Sequence, residues 1–145
     1  MKTIALRFGE QFSPKCGTIA AHQEIINKIG YVWWGKLGLP INTKLTQELE
    51  SQDNLKILLI NSGKTSRFWA YVSNISRNKP SIGEYPSYYN EKVDSMKTWL
   101  KITSFEKAPN DVMSRCFLVS SGNTLTETSK YSMSPYFIIT YNENW

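Results

Sequence analysis

Apolar and polar positions alternate through residues 3 to 8, which predicts a first β-strand. Residues 13 to 17 carry Pro14 and Gly17 and read as a turn. Thr18 is a good N-cap, and Ile19, His22, Ile25, Ile26 and Ile29 recur at helical spacing until Gly30 stops the helix. Residues 31 to 36 then predict a short strand that closes at Gly38-Leu39-Pro40. Asn42 or Thr43 can cap a second, more polar helix through residue 51, with Leu45 and Leu49 on its buried face. The unbroken apolar run at 55 to 62 predicts a strand central to a sheet. After a turn at 63 to 66, residues 67 to 76 return antiparallel, forming the clearest hairpin of the chain.

Periodicity then fades. Residues 77 to 96 contain Pro80, Gly83 and Pro86 and three tyrosines, Tyr85, Tyr88 and Tyr89, and predict a long loop with a helical turn near 89 to 93. Loops of that length in compact domains are usually functional or disordered, and the aromatics argue against disorder. Residues 97 to 105 predict another strand, Pro109 precedes a short helical turn, and 116 to 120 and 135 to 141 predict the last strands across a polar Ser/Thr segment. The expectation is an α+β fold in a single domain, residues 1–145: a curled, mostly antiparallel sheet or small β-barrel with peripheral helices.

Composition narrows the function classes. Hydrophobic residues make up 41% and charged ones 20%, the balance of a globular domain. No apolar run approaches the roughly 20 residues that span a bilayer, so no membrane is expected. Arg7 and Glu10 break the N-terminus before a signal-peptide core can form, so the expected location is cytoplasmic. Cys16 and Cys116 lie far apart without a CxxC partner, which indicates neither zinc nor a disulfide framework. The net charge of +5 favours a polyanionic partner. The lysines are scattered, so such a partner would meet a folded surface rather than a basic tail.

Catalytic chemistry is hard to find. His22 is the sole histidine and sits on or beside the apolar helix face. Gly63-Lys64-Thr65 lacks the upstream glycine of a phosphate loop, because Leu58 stands near the required place. The twelve carboxylates are dispersed. No catalytic residue, metal site or cofactor is therefore expected, and a binding module is favoured.

The notable supply is aromatic: five tryptophans, eight tyrosines and six phenylalanines. Neighbours on a strand face opposite ways, so Trp33 and Trp34 cannot both fill one core. Trp69 shares a strand face with Tyr71, and Trp99 falls opposite Leu100. Bases stack on such rings for roughly 1–3 kcal/mol each, and a cage of rings suits a methylated base. The competing reading is an aromatic-rich second core beneath the inserted helices.

The strand Val32-Trp33-Trp34-Gly35-Lys36, followed by residues 57 to 63 and the returning Phe68-Trp69-Ala70-Tyr71-Val72, resembles the PUA-like superfamily, especially its EVE and YTH branches. The resembling core runs over about residues 28 to 141 and leaves the first strand and helix outside it. The resemblance implies a twisted β-barrel that binds a flipped, modified base in an aromatic pocket, as the specificity module of a modification-dependent restriction or defence system. On that reading Trp33 or Trp34 stacks on the base within a pocket that also holds Trp69 and Trp99. Asn61 and Ser62 hydrogen-bond its edge, and Lys36, Lys64 and Arg67 contact phosphates. DNA is expected before RNA, with a nuclease or ATPase as a separate or fused partner. The alternatives are a protein-interaction or small-ligand module using the tyrosine loop, and an RNA-binding PUA-like domain with an RNA-processing role.

Overall fold

The computed structural model describes residues 1–62 and 65–142. Seven strands and three α-helices follow in chain order: β1 (Lys2–Phe8), α1 (Thr18–Ile29), β2 (Val32–Leu37), α2 (Thr43–Glu50), β3 (Lys56–Asn61), β4 (Arg67–Ser76), β5 (Met96–Lys107), β6 (Cys116–Leu118), α3 (Leu125–Tyr131) and β7 (Tyr136–Tyr141). Short 3₁₀ turns lie at Ser87–Tyr89, Val93–Ser95 and Val112–Arg115. The strand order is β2-β5-β4-β3-β1-β7-β6. It has two ends, so the expected barrel is an open, mostly antiparallel sheet.

Contacts divide the chain into two compact units. The first comprises Met1–Phe8, Lys56–Trp69 and Glu106–Trp145; the second comprises Gly9–Leu55 and Ala70–Phe105.

In the first unit β1 pairs parallel with β3 and antiparallel with β7, which in turn pairs antiparallel with β6. A parallel pair needs a long crossover, and the whole of residues 9 to 55 supplies it. β1 has a neighbour on each side, and Ile4, Ala5 and Leu6 are buried; Ile57 to Ile60 of β3 are buried as well. Two-sided burial explains why the 55–60 run carries no polar alternation. Around them gather Trp69, Val112, Met113, Cys116, Leu125 and Ile139.

α3 replaces the polar loop expected between the last two strands. Its Thr124 cap accepts from the Glu127 backbone N–H at 3.2 Å, and the Arg7 guanidinium donates to the Ser129 and Ser132 carbonyls at 2.5 and 2.8 Å. Thr124-Leu125-Thr126-Glu127 has the spacing of a capping box, the local signal that marks this start. Without the cation on its last carbonyls so short a helix would be marginal.

In the second unit β2 pairs antiparallel with β5. Thr18 begins α1 as its first helical residue instead of capping it; Gly17 occupies the cap position without a side-chain bond. The Glu10 carboxylate takes over, accepting from the Thr18 N–H at 3.2 Å, a favourable place for a negative charge. Asn42 caps α2, accepting from the Leu45 N–H at 2.8 Å.

Candidate functional site

β2 and β5 set Trp33 and Trp34 on opposite faces, opposite Lys101 and Leu100 respectively. Trp33 is half-buried and packs against a cluster of Tyr85, Tyr89, Val93, Met96 and Trp99. Trp99 is completely buried there, and its indole N–H has no hydrogen-bond partner. Gly35 lies beneath the same cluster. A Cβ at this position would meet the Met96 sulfur at 2.1 Å and the Trp99 ring at 3.0 Å, so only glycine lets the two side chains lie over the strand.

The tyrosine loop also finishes the edge of β2, the last strand of the order. Trp33 N–H donates to the Glu84 carbonyl at 2.8 Å, and Gly35 N–H donates to the Tyr89 hydroxyl at 3.4 Å. Edge N–H groups left bare invite pairing with another chain. The Tyr31 hydroxyl fastens the same loop by donating to the Glu84 carboxylate, which holds that carboxyl below its ordinary pKa and raises that of the phenol.

Trp34, on the other face, is buried and stacked on His22, with ring centroids 4.4 Å apart; Phe105 approaches both rings edge-on at 6.5 Å. His22 is wholly buried. Its Nδ1 lies 2.8 Å from the Thr18 carbonyl, which can only accept, so Nδ1 carries the proton. Nε2 therefore accepts from the Tyr89 hydroxyl at 2.7 Å. Burial pushes the His22 pKa down to about 4, against a smaller upward pull from the Thr18 bond, and pushes the Tyr89 phenol well above its ordinary value. The imidazole is neutral at pH 7, and its tautomer is set by its neighbours.

The other residues predicted from sequence lie in the first unit. Asn61 ends β3, and its carboxamide oxygen is buried with no hydrogen-bond partner. Ser62 follows as an exposed residue whose N–H donates to the Phe8 carbonyl at 2.8 Å. Trp69 is buried in the apolar core, with its ring 5.0 Å from that of Tyr141 and the Lys56 ammonium 4.4 Å above it. Arg67 donates from Nε to the Met113 sulfur at 2.7 Å and from Nη1 to the Ser66 carbonyl at 3.0 Å, and burial lowers its pKa. Lys64 lies outside the described residues.

Lys36, back in the second unit, is buried. Its ammonium donates to the Leu37 and Leu39 carbonyls at 3.3 and 2.9 Å, and burial lowers its pKa. The structure thus brings Trp33 and Trp99 into one cluster, sets Trp34 against His22, and places Asn61, Ser62, Trp69 and Arg67 in the first unit. His22, Tyr89 and Glu84 were not predicted as site residues. The 67 positions separating His22 from Tyr89 leave no local pattern that would join them. Among the described residues no cluster of His, Cys, Asp or Glu is arranged to hold a metal, and no helix is long and apolar enough to cross a membrane.

The family model described as Pua-like matches residues 4–140. The chain belongs to the Pua-like family, and the match takes in β1 and α1, which the resembling core had left out. Membership suggests a nucleic-acid-binding or modified-base-binding module. Neither a curated protein nor a solved structure matches the chain.

Proposed function

We propose that the protein is a non-catalytic reader of a modified, most simply methylated, base in DNA, taken out of the stack and held at the end of β3. The observation that carries this reading is Asn61. A buried acceptor without a partner costs about 1–3 kcal/mol, and its carboxamide oxygen is one. The exocyclic amino group of a base is a donor of the right kind, and the exposed Ser62 beside it offers a hydroxyl to the same edge. Extruding one base costs a few kcal/mol, which hydrogen bonds and ring stacking offset. The first unit has eight basic and four acidic residues against nine and eight in the second, so its surface suits a phosphate backbone better. Modification-dependent restriction or defence, with a nuclease or ATPase supplying the cutting, is the setting in which such a reader is useful.

The test is a fluorescence titration of short duplexes that carry one N6-methyladenine, N4-methylcytosine or 5-methylcytosine, or no modification, at two salt concentrations. Wild type should prefer one modified duplex and weaken steeply with salt. Asn61→Ala should abolish that preference, a loss of about 1–3 kcal/mol, while leaving thermal stability unchanged or higher because an orphan acceptor is gone. Trp33→Ala and Trp34→Ala in the same titration identify the stacking ring by loss of affinity per folded molecule. Reduced stability with unchanged binding in Asn61→Ala would assign the residue to the fold and end the proposal.

A further inference from the structure

The turn after β2 holds a leucine out to solvent on a braced backbone. Leu39 is 85% exposed. Beneath it the buried Lys36 ammonium binds the Leu37 and Leu39 carbonyls, and Gly38 N–H donates to the Ser95 carbonyl at 3.3 Å. Gly38 has φ +81°, a backbone conformation that residues with a Cβ rarely adopt, and Pro40 restricts the chain on the other side. Burying an ammonium carries a desolvation cost, and here its two bonds hold the backbone on either side of the exposed tip.

The surroundings are cationic. A cavity of about 680 Å³ lies beside the turn, lined in part by Leu39, Pro40, Arg77, Asp94 and Lys97. Arg77 commits a single guanidinium N–H to the Ile41 carbonyl at 2.8 Å, and Lys97 reaches the Asp94 carbonyl at 3.0 Å. The one carboxylate, Asp94, is met by Lys79 at 3.6 Å. Four cations against one paired carboxylate describe a face for a polyanion. A lone leucine and proline cannot furnish the roughly 1,200 Å² that a stable protein partner needs.

We propose that this turn is a wedge. Leu39 enters the base stack of a duplex while Arg77 and Lys97 meet the flanking phosphates. Apolar side chains of this kind insert between base steps in proteins that distort DNA. The inference rests on the base-reading proposal above, since a base that leaves the stack opens a gap for an apolar side chain to fill. Leu39 lies five residues beyond Trp34, at most about 17 Å along an extended chain, so one duplex can meet both.

The experiment compares wild type, Leu39→Ala and Leu39→Phe on two probes: the methylated duplex preferred by wild type, and the methylated strand of that duplex alone. A single strand has no stack to refill. Leu39→Ala should bind the duplex about tenfold more weakly and the single strand within twofold of wild type, and Leu39→Phe should restore duplex binding. Equal losses on both probes, or none on either, overturn the wedge and leave the base reading intact. A wild type that binds neither probe ends the base reading, and the wedge with it. Binding of wild type to phosphatidylserine vesicles that Leu39→Ala abolishes, with duplex binding unaffected, would make the turn a membrane contact and likewise overturn the wedge.

Discussion

The two units use similar side chains to different ends. In the first, strands buried on both faces make an aliphatic core, and the cations near it are drawn into its internal contacts. Lys56 sits over Trp69, Arg67 bonds Met113 and the Ser66 carbonyl, and Arg7 bonds the last carbonyls of α3. In the second, aromatic side chains finish an edge strand through polar atoms: Gly35 N–H to the Tyr89 oxygen, Tyr89 hydroxyl to His22, His22 to the Thr18 carbonyl. The first unit is held chiefly by packing, whereas the second depends on a line of hydrogen bonds in which each member sets the polarity of the next. Aromatic content alone does not distinguish a core from a site; the partners of the polar atoms on the rings do.

The largest expected effect tests the packing side. Trp69→Ala should cost about 3–5 kcal/mol, measured by urea denaturation, and hydrogen exchange should accelerate first in β1 and β3. Equal acceleration across β2 and β5 would show that the two units unfold as one, and the comparison would lose its force.

Next comes pH. Because the folded His22 pKa is depressed to about 4 from its ordinary 6.5, the unfolded state binds the extra proton between those values. Stability from this residue is therefore complete above about pH 6.5 and declines as pH falls toward 4, by about 3 kcal/mol in all. Urea midpoints across that window should fall in wild type and flatten in His22→Phe. An identical slope in both proteins would remove His22 from the account.

A smaller change isolates the relay. Tyr89→Phe leaves the ring but deprives His22 Nε2 and Gly35 N–H of their partner, at a cost of about 1–3 kcal/mol. The Gly35 amide should exchange faster, and the His22 imidazole, no longer holding an accepted hydrogen bond, should titrate at higher pH by NMR. Unchanged titration would mean that burial alone governs the imidazole. The smallest effect returns to the first unit: Thr124→Ala should cost about 1 kcal/mol, with faster exchange confined to α3. Loss of exchange protection throughout β6 and β7 would show that the cap organises more than its helix.

Much of the fold was legible along the chain because its strongest signals are local. The run at residues 55 to 60 required burial on both faces, Gly30 and Asn42 marked helix ends, and the hairpin followed from two apolar runs around a short polar turn. α3 was passed over because its seven residues contain only one buried side chain, Leu125, too few for a visible period, although its capping spacing was there to read. The site was less legible. Strand alternation required Trp33 and Trp34 to part company, and the chain by itself determined that much. Only tertiary structure decided which neighbours each ring met, that Lys36 would brace a turn, and that Asn61 would be buried without a partner. The physical reason is separation in sequence: a period of two or 3.6 is written in neighbouring residues, whereas the meeting of His22 with Tyr89 depends on the path of everything between them.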